Sequence, residues 1–369
     1  MKLLSYQSFS LYANGGGNRI LRRLYQGREQ DVISLVAEQA RVSSGNGEIT
    51  ETIVYAEPVV QKWARWHART FITWLRQKMF RRLTISKVQT AAAKLKFDKI
   101  HVVDHGPFSA ALCDDAKFDA YELWVSFHDH FNTTHGSLEN TAKLWARAAR
   151  CLVISAELGN HYQKLFGQKP YEIITDGVRI DELSAPASTG NEVLTIYFAG
   201  LLHIDYIPLF DVLANTLDAL SHQGHRFKIV LRGTQYLPFL DNRSFETHYR
   251  PTTLDNMELK TELDQSDILY LPIKFTKPDF YMYSLSTKMV GYLGGSGAIL
   301  YHGPANSAAC RLLQQSNAAV CCGELSEAVL SKDILKLIAQ KSVFSVNAKK
   351  LASQQFDMDQ IQSRFWQQS

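Results

Sequence analysis

Strands that alternate with helical stretches, glycine-bearing turns at strand ends and a small polar linker near mid-chain predict an α/β protein of two Rossmann-like domains, each with a parallel sheet. At 369 residues the chain exceeds one ordinary core, and the strand–helix rhythm restarts after residue 191. The expected first domain is 1–180 and the second is 192–345.

Composition narrows the class. Hydrophobic residues make up 46% and charged residues 21%, which suits a globular chain and excludes disorder. No apolar run approaches the roughly 20 residues of a bilayer span, and residues 1–12 are too polar for a signal peptide, so a cytoplasmic location is expected. Five cysteines without a Cys-x-x-Cys pair argue against a disulfide framework and a structural zinc site. The first 179 residues hold 24 Lys and Arg against 17 Asp and Glu, so the basic excess lies there.

Residues 2–6 form a strand, and Ala13-Asn14-Gly15-Gly16-Gly17-Asn18-Arg19 is a glycine loop leading into a helix marked by Ile20, Leu21 and Leu24. Such a loop lets backbone approach a phosphate or sugar closely, although it is not the G-x-G-x-x-G dinucleotide fingerprint and is equally a tight turn. Further strands are expected at 31–37 and 52–55. Residues 59–97 contain no acid, and Lys62, Arg65, Arg69 and Arg76 fall on one helical stripe opposite Trp63, Phe71 and Trp74. That helix either docks by its aromatic face or binds an anionic membrane surface or acceptor. Nucleic acid is not expected, because no binding motif accompanies the charge.

Strands at 99–104 and 124–128 end at His105-Gly106-Pro107 and at His128-Asp129-His130. Ligands of open α/β sheets sit beyond strand carboxyl ends, so His128 and Asp129 are the candidate catalytic residues: a base, an orienting group, or a partner for sugar hydroxyls. Histidines hydrogen-bonded in a turn are the plain alternative. No metal is expected, since neighbouring strand residues face opposite ways and no His-x-x-x-His spacing is present. Helices at 141–150 and 161–166 and strands at 151–155 and 172–175 complete the first half, and 184–191 is the linker. The second half repeats the alternation, with strands at 194–199, 227–231, 244–249 and 268–271 and helices at 208–222 and 254–263. Arg232 ends a strand, where it serves either a diphosphate or a surface acid.

Residues 283–309 run loop, helix, strand, loop, helix. Ser284, Ser286 and Thr287 are suited to capping the first helix, and Lys288 adds a charge in its first turn. This is either an ordinary capped helix or a diphosphate site.

Over nearly its full length the chain resembles bacterial glycosyltransferases of the GT-B fold, particularly family 4. The resemblance is carried by Gly15-Gly16-Gly17, Phe127-His128-Asp129, Asp176-Gly177-Val178, Tyr197-Phe198-Ala199-Gly200, and above all Ser284–Leu293 followed by Ile-Leu-Tyr-His-Gly-Pro. It implies two domains facing across a cleft, with residues 346–369 forming a C-terminal segment that packs back on the first. It further implies that Gly16, Gly17, Gly200, Arg232, Ser286, Thr287 and Lys288 lie near the donor, and His128 or Asp129 near the transferred sugar. Implied too are a nucleotide-sugar donor as substrate with no separate cofactor, a saccharide or lipid-linked acceptor, retention of configuration and work at the inner membrane face. Two places depart from the pattern. The carboxylate that holds the donor ribose falls at Gly291, and the Arg/Lys pair after the Gly200 strand is replaced by Leu201, His203 and Asp205. The alternative reading is therefore a catalytically inactive binding or assembly partner in polysaccharide synthesis.

Overall fold

The structure is a computed structural model and describes residues 1–13, 15–37, 48–54, 74–75, 78–186, 192–200, 202–253 and 255–367. The chain folds as two compact units, one of residues 1–175 with the chain end from Phe365, the other of residues 176–364.

The first unit contains β1 (Leu3–Gln7), α1 (Gly16–Tyr25), β2 (Val32–Val36), β3 (Glu51–Ile53), α2 (Arg81–Ala92), β4 (Lys99–Val103), β5 (Glu122–Phe127), α3 (Leu138–Arg147), β6 (Arg150–Val153), α4 (Ala156–Phe166) and β7 (Tyr171–Ile173). All seven strands pair in parallel in the order β3-β2-β1-β4-β5-β6-β7. Central strands covered on both faces need continuous apolar runs, and Leu3, Leu4, Tyr6, Ile100, Val102, Leu123 and Val125 are buried accordingly. Helix boundaries follow the caps: Ser137 Oγ accepts from Asn140 N at 3.2 Å and Ser155 Oγ from Leu158 N at 3.1 Å. The helix expected at 141–150 therefore starts earlier and ends at Arg147, and Arg150 opens β6 instead. There its guanidinium forks onto Glu172 with two 2.7 Å bonds and donates to Phe365 O at 2.8 Å. Phe365 packs edge-on against Trp124 and His101, and Trp366 Nε1 donates to Leu24 O at 2.7 Å.

The second unit contains β8 (Leu194–Ala199), α5 (Ile207–Ser221), β9 (Phe227–Arg232), β10 (Glu246–Arg250), α6 (Asn256–Asp264), β11 (Ile268–Pro272), α7 (Pro278–Tyr281), α8 (Thr287–Gly294), β12 (Ala298–His302), α9 (Ala308–Gln315), β13 (Ala319–Cys322), α10 (Glu327–Ala339), α11 (Lys341–Gln355) and α12 (Met358–Trp366), whose last two residues belong to the first unit. Its six strands are again parallel, ordered β10-β9-β8-β11-β12-β13. Alternate strand residues feed two cores. Phe198, Phe210, Leu217, Leu231, Tyr270 and Leu300 lie on one face, and Tyr197, Leu269, Met289, Leu293 and Ile299 on the other. Each such side chain contributes roughly 1.5–3 kcal/mol of burial. Helix α11 buries Ala348 and Leu351 in the second core, beside α8.

The Asp176-Gly177-Val178 turn has a steric reason. Val178 N donates to Phe356 O at 2.8 Å and Met358 N to Val178 O at 3.0 Å. A Cβ on Gly177 would lie 2.8 Å from Met358 Cα, so only glycine admits this approach.

In both sheets the chain winds outward on one side of the first strand and then crosses to the other. The switch points, where such sheets hold ligands, lie between β1 and β4 and between β8 and β11.

Candidate functional site

In the first unit the loop after β1 leads to α1, which begins at Gly16, so Gly16 and Gly17 form its first turn and the expected loop is shorter at that end. The N-cap Gly15 is extended, with φ 176°, and its missing side chain leaves room for Asn18. Gly17 faces the site directly: a Cβ there would sit 3.1 Å from Phe9 Cζ and 3.4 Å from His128 Nδ1. The glycine thus lets the helix start close against the imidazole.

His128 follows β5 and is buried, and among the described residues neither ring nitrogen has a hydrogen-bond partner. A buried polar group left in this way carries a desolvation cost of about 1–3 kcal/mol. Burial, with the neighbouring His105 second, lowers its pKa to about 4. His105 is lowered to about 4 as well, again mainly by burial, and its Nδ1 meets Ser8 Oγ at 2.7 Å. Phe9 packs edge-on against the His105 ring. At neutral pH the crevice therefore presents two uncharged imidazoles. Asp129 is half-buried beside His128. Asp104 lies beneath, its carboxyl pushed up by burial against the opposing bonds from Thr141 Oγ1 at 2.6 Å and Ser109 Oγ at 2.7 Å. His130 turns away and meets His161, Nε2 to Nε2, at 3.2 Å. Among the described residues no three His, Cys, Asp or Glu side chains converge as a metal site would require.

In the second unit Ser286 is the N-cap of α8, and its Oγ accepts from Lys288 N at 3.2 Å. The other first-turn N–H groups lack partners within the helix. Lys288 reaches back to the end of β8: its Nζ lies 3.7 Å from the Phe198 ring centroid, and a Cβ on Gly200 would come within 3.2 Å of it. Gly200, at φ 131°, adopts backbone that other residues avoid and opens this space. One helical turn further, Tyr292 OH accepts from Ala199 N at 3.2 Å, which fastens α8 to the same strand end. Burial lowers the Lys288 pKa to about 7. No carboxylate among the described residues pairs with this ammonium, and its nearest electrostatic partner is the Phe198 ring.

Arg232 takes the second of its two expected roles and pairs with acids. It stands next to Ala199 across the β8–β9 pair, but its guanidinium turns inward. Nε donates to Glu262 Oε2 at 2.9 Å, Nη2 to Glu258 Oε1 at 2.5 Å and also to Glu262, and Nη1 to Pro251 O at 2.7 Å. A buried cation demands such pairing, and these acids raise its pKa further. In this structure the guanidinium is engaged in a structural ion pair. Sequence reasoning missed Glu258 and Glu262, although their i,i+4 spacing puts them on one face of α6. It also missed Lys274, which follows β11 and meets Asp205 at 3.4 Å. Lys62, Arg65, Arg69 and Arg76 lie outside the described residues.

The structure thus groups Gly17 with His128 in one unit, and Gly200, Ser286 and Lys288 in the other, while Arg232 faces Glu258 and Glu262. No protein-family model matches the chain, and no curated protein does. Solved structures match over almost the whole length. A trehalose-6-phosphate structure from E. coli bound with UDP-2-fluoro glucose is similar at TM-score 0.62 and 10% identity, covering 99% of this chain and 98% of that one. WaaG, a glycosyltransferase involved in lipopolysaccharide biosynthesis, gives 0.61 and 13%, covering 98% of both. An α,α-trehalose-phosphate synthase (UDP-forming) from Burkholderia xenovorans, in complex with glucose-6-phosphate, gives 0.64 and 8%, again covering 98% of both. The chain has the fold of the GT-B glycosyltransferases, two Rossmann-like units with parallel sheets.

Proposed function

We propose that this chain is a glycosyltransferase that moves a sugar from a nucleoside-diphosphate donor to a saccharide or lipid-linked acceptor, with retention of configuration. We place it in bacterial surface polysaccharide synthesis: capsule, exopolysaccharide or lipopolysaccharide. The observation that carries the reading is Lys288, an ammonium without a carboxylate partner among the described residues, held at a helix N-terminus on the switch point of the second sheet. A fold that WaaG shares supports the pathway.

As the bond from sugar to diphosphate breaks, the leaving group gains negative charge. First-turn N–H groups of α8 and the Lys288 ammonium stabilise that charge best where water is excluded, and Gly200 leaves room for it. In the first unit Gly16 and Gly17 give close backbone approach, and neutral His128 supplies a hydrogen bond to a sugar hydroxyl without adding charge. Asp129 beside it is the alternative base. No cofactor beyond the donor is expected. The membrane part rests on residues 59–97, a stretch without an acid, where exposed Lys78, Arg82, Lys87, Lys94 and Lys96 accompany exposed Trp74, Met79, Phe80 and Leu83. Cations beside aromatic and aliphatic side chains suit an anionic bilayer.

Thermal unfolding against nucleoside diphosphates and nucleotide sugars tests the reading: a ligand at a hundred times its Kd adds about 2.7 kcal/mol. Stabilisation by none of them overturns it. Gly291, which offers no side chain to a ribose, and the inward-turned Arg232 favour the non-catalytic alternative. Nucleotide binding without sugar transfer to any acceptor would establish that instead.

A further inference from the structure

A chain of buried hydrogen bonds crosses the first sheet and ends on Glu51. Ser34 Oγ donates to Glu51 Oε1 at 3.1 Å, and Gln7 Nε2 donates to Ser34 Oγ at 2.7 Å. Ser5 Oγ donates its single hydrogen to Gln7 Oε1 at 2.8 Å. Tyr25 OH, 2.7 Å from Ser5 Oγ, must then be the donor to it. Its oxygen accepts from His101 Nδ1 at 2.6 Å, which leaves His101 Nε2 to accept from Ser126 Oγ at 2.7 Å. Every bond points the same way, from β5 to β3. Burial keeps His101 uncharged, with its pKa lowered to about 3, so the direction is fixed by hydrogen count. The carboxylate is the natural terminus, because it accepts without having to donate.

Glu51 also holds the loop after β1. Ser10 Oγ donates to Oε2 at 2.5 Å and Leu11 N to Oε1 at 2.8 Å. Tyr12 N in turn donates to Ser10 Oγ at 3.1 Å, Asn18 Nδ2 donates to Ser10 O, and Arg22 Nη1 donates to Leu11 O at 3.0 Å. The loop held in this way carries Phe9, which touches Gly17 and His105, and it runs into the glycines at the start of α1.

We propose that Glu51 is a positioning residue for the first unit's crevice. Its carboxylate anchors the loop after β1, and Ser34, the near end of the hydrogen-bond chain, helps to hold that carboxylate; through the loop it sets the distance between Gly17, Phe9 and His128. The kinetic half of this assignment rests on the transferase reading, while the structural half does not. The test compares Glu51→Ala and Glu51→Gln with Ser126→Ala, which shortens the same chain at its far end without touching the loop. Amide hydrogen exchange of residues 8–18 should be at least ten times faster in Glu51→Ala, nearly unchanged in Ser126→Ala, and intermediate in Glu51→Gln, which keeps one acceptor oxygen. With UDP-glucose as probe donor, UDP release should show kcat lowered tenfold or more in Glu51→Ala, donor KM within threefold, and most of the rate restored in Glu51→Gln. Loop exchange within twofold of wild type, or equal acceleration in Ser126→Ala, overturns the assignment. So does a kcat loss in Ser126→Ala that matches Glu51→Ala at equal loss of stability. Exchange needs no substrate, so a wild type that binds no nucleotide would sink the transferase reading while the loop comparison still decides for or against Glu51.

Discussion

Replacing Lys288 by methionine should make the protein more stable and less able to bind a nucleotide. The lysine pKa falls from 10.5 to about 7 through burial. At about 1.4 kcal/mol per unit, keeping the ammonium charged in the fold costs up to about 5 kcal/mol. Its face contact with Phe198, 3.7 Å from the ring centroid, returns roughly 1–2 kcal/mol. The residue is half-buried, so water reaches part of it and lowers the cost again. A net gain of about 1–3 kcal/mol for Lys288→Met at pH 6 is the outcome expected, or roughly 2–12 °C in Tm for a unit of this size. The sign with pH is fixed. Below about pH 7 both states carry the proton and the whole penalty is present; between 7 and 10.5 only the unfolded chain stays protonated, so wild-type stability rises with pH. The advantage of the variant should therefore be largest at pH 6 and shrink steadily by pH 9. Thermal unfolding of both proteins at the two pH values, with and without UDP, measures all of this. A variant that is less stable than wild type at pH 6, or that is stabilised by UDP as strongly as wild type, would refute the argument that burial strains this lysine on behalf of an anion.

Three other outcomes follow from the same geometry. His128, lowered from 6.5 to about 4, binds fewer protons in the fold than out of it, so its share of stability, about 3 kcal/mol, is lost as pH falls from 6.5 to 4; His128→Asn should flatten that part of the acid-unfolding profile, and an unchanged slope would contradict it. Glu262→Ala leaves the buried Arg232 with Glu258 and Pro251 O, and chemical denaturation should record a loss of about 3 kcal/mol, whereas a loss below about 1 would mean that the pair is replaceable. Gly303→Ala would put a Cβ 2.5 Å from Ile273 O, so at least about 2 kcal/mol of destabilisation is expected, and wild-type Tm would show that the strand end can shift.

The sheets were legible because a parallel strand covered on both faces must be continuously apolar. Lys99–Val103, Leu194–Ala199 and Ala298–His302 could hardly be read otherwise. Ends were less legible, since caps and not apolar periods set them. Ser137 starts α3 before its first buried turn, and Gly16 and Gly17 read as loop although they are helical. The Ser286 cap with Lys288 in the first turn was legible for a different reason: a serine cap followed by a lysine is a local pattern, and local patterns survive folding.

A strand end alone does not decide between the two roles open to Arg232. Which way an arginine turns is decided by acids distant in sequence, here on α6, that meet it only once β9 and β10 pair. The same logic runs in reverse after β8. There this chain has Asp205, and the fold brings Lys274 from the end of β11 to meet it. An acid on the loop after β8 thus meets a lysine delivered by the neighbouring strand end. Among the described residues, Lys274 is engaged with Asp205 and the Lys288 ammonium meets no carboxylate, so the proposed diphosphate contact falls to Lys288 and the first turn of α8.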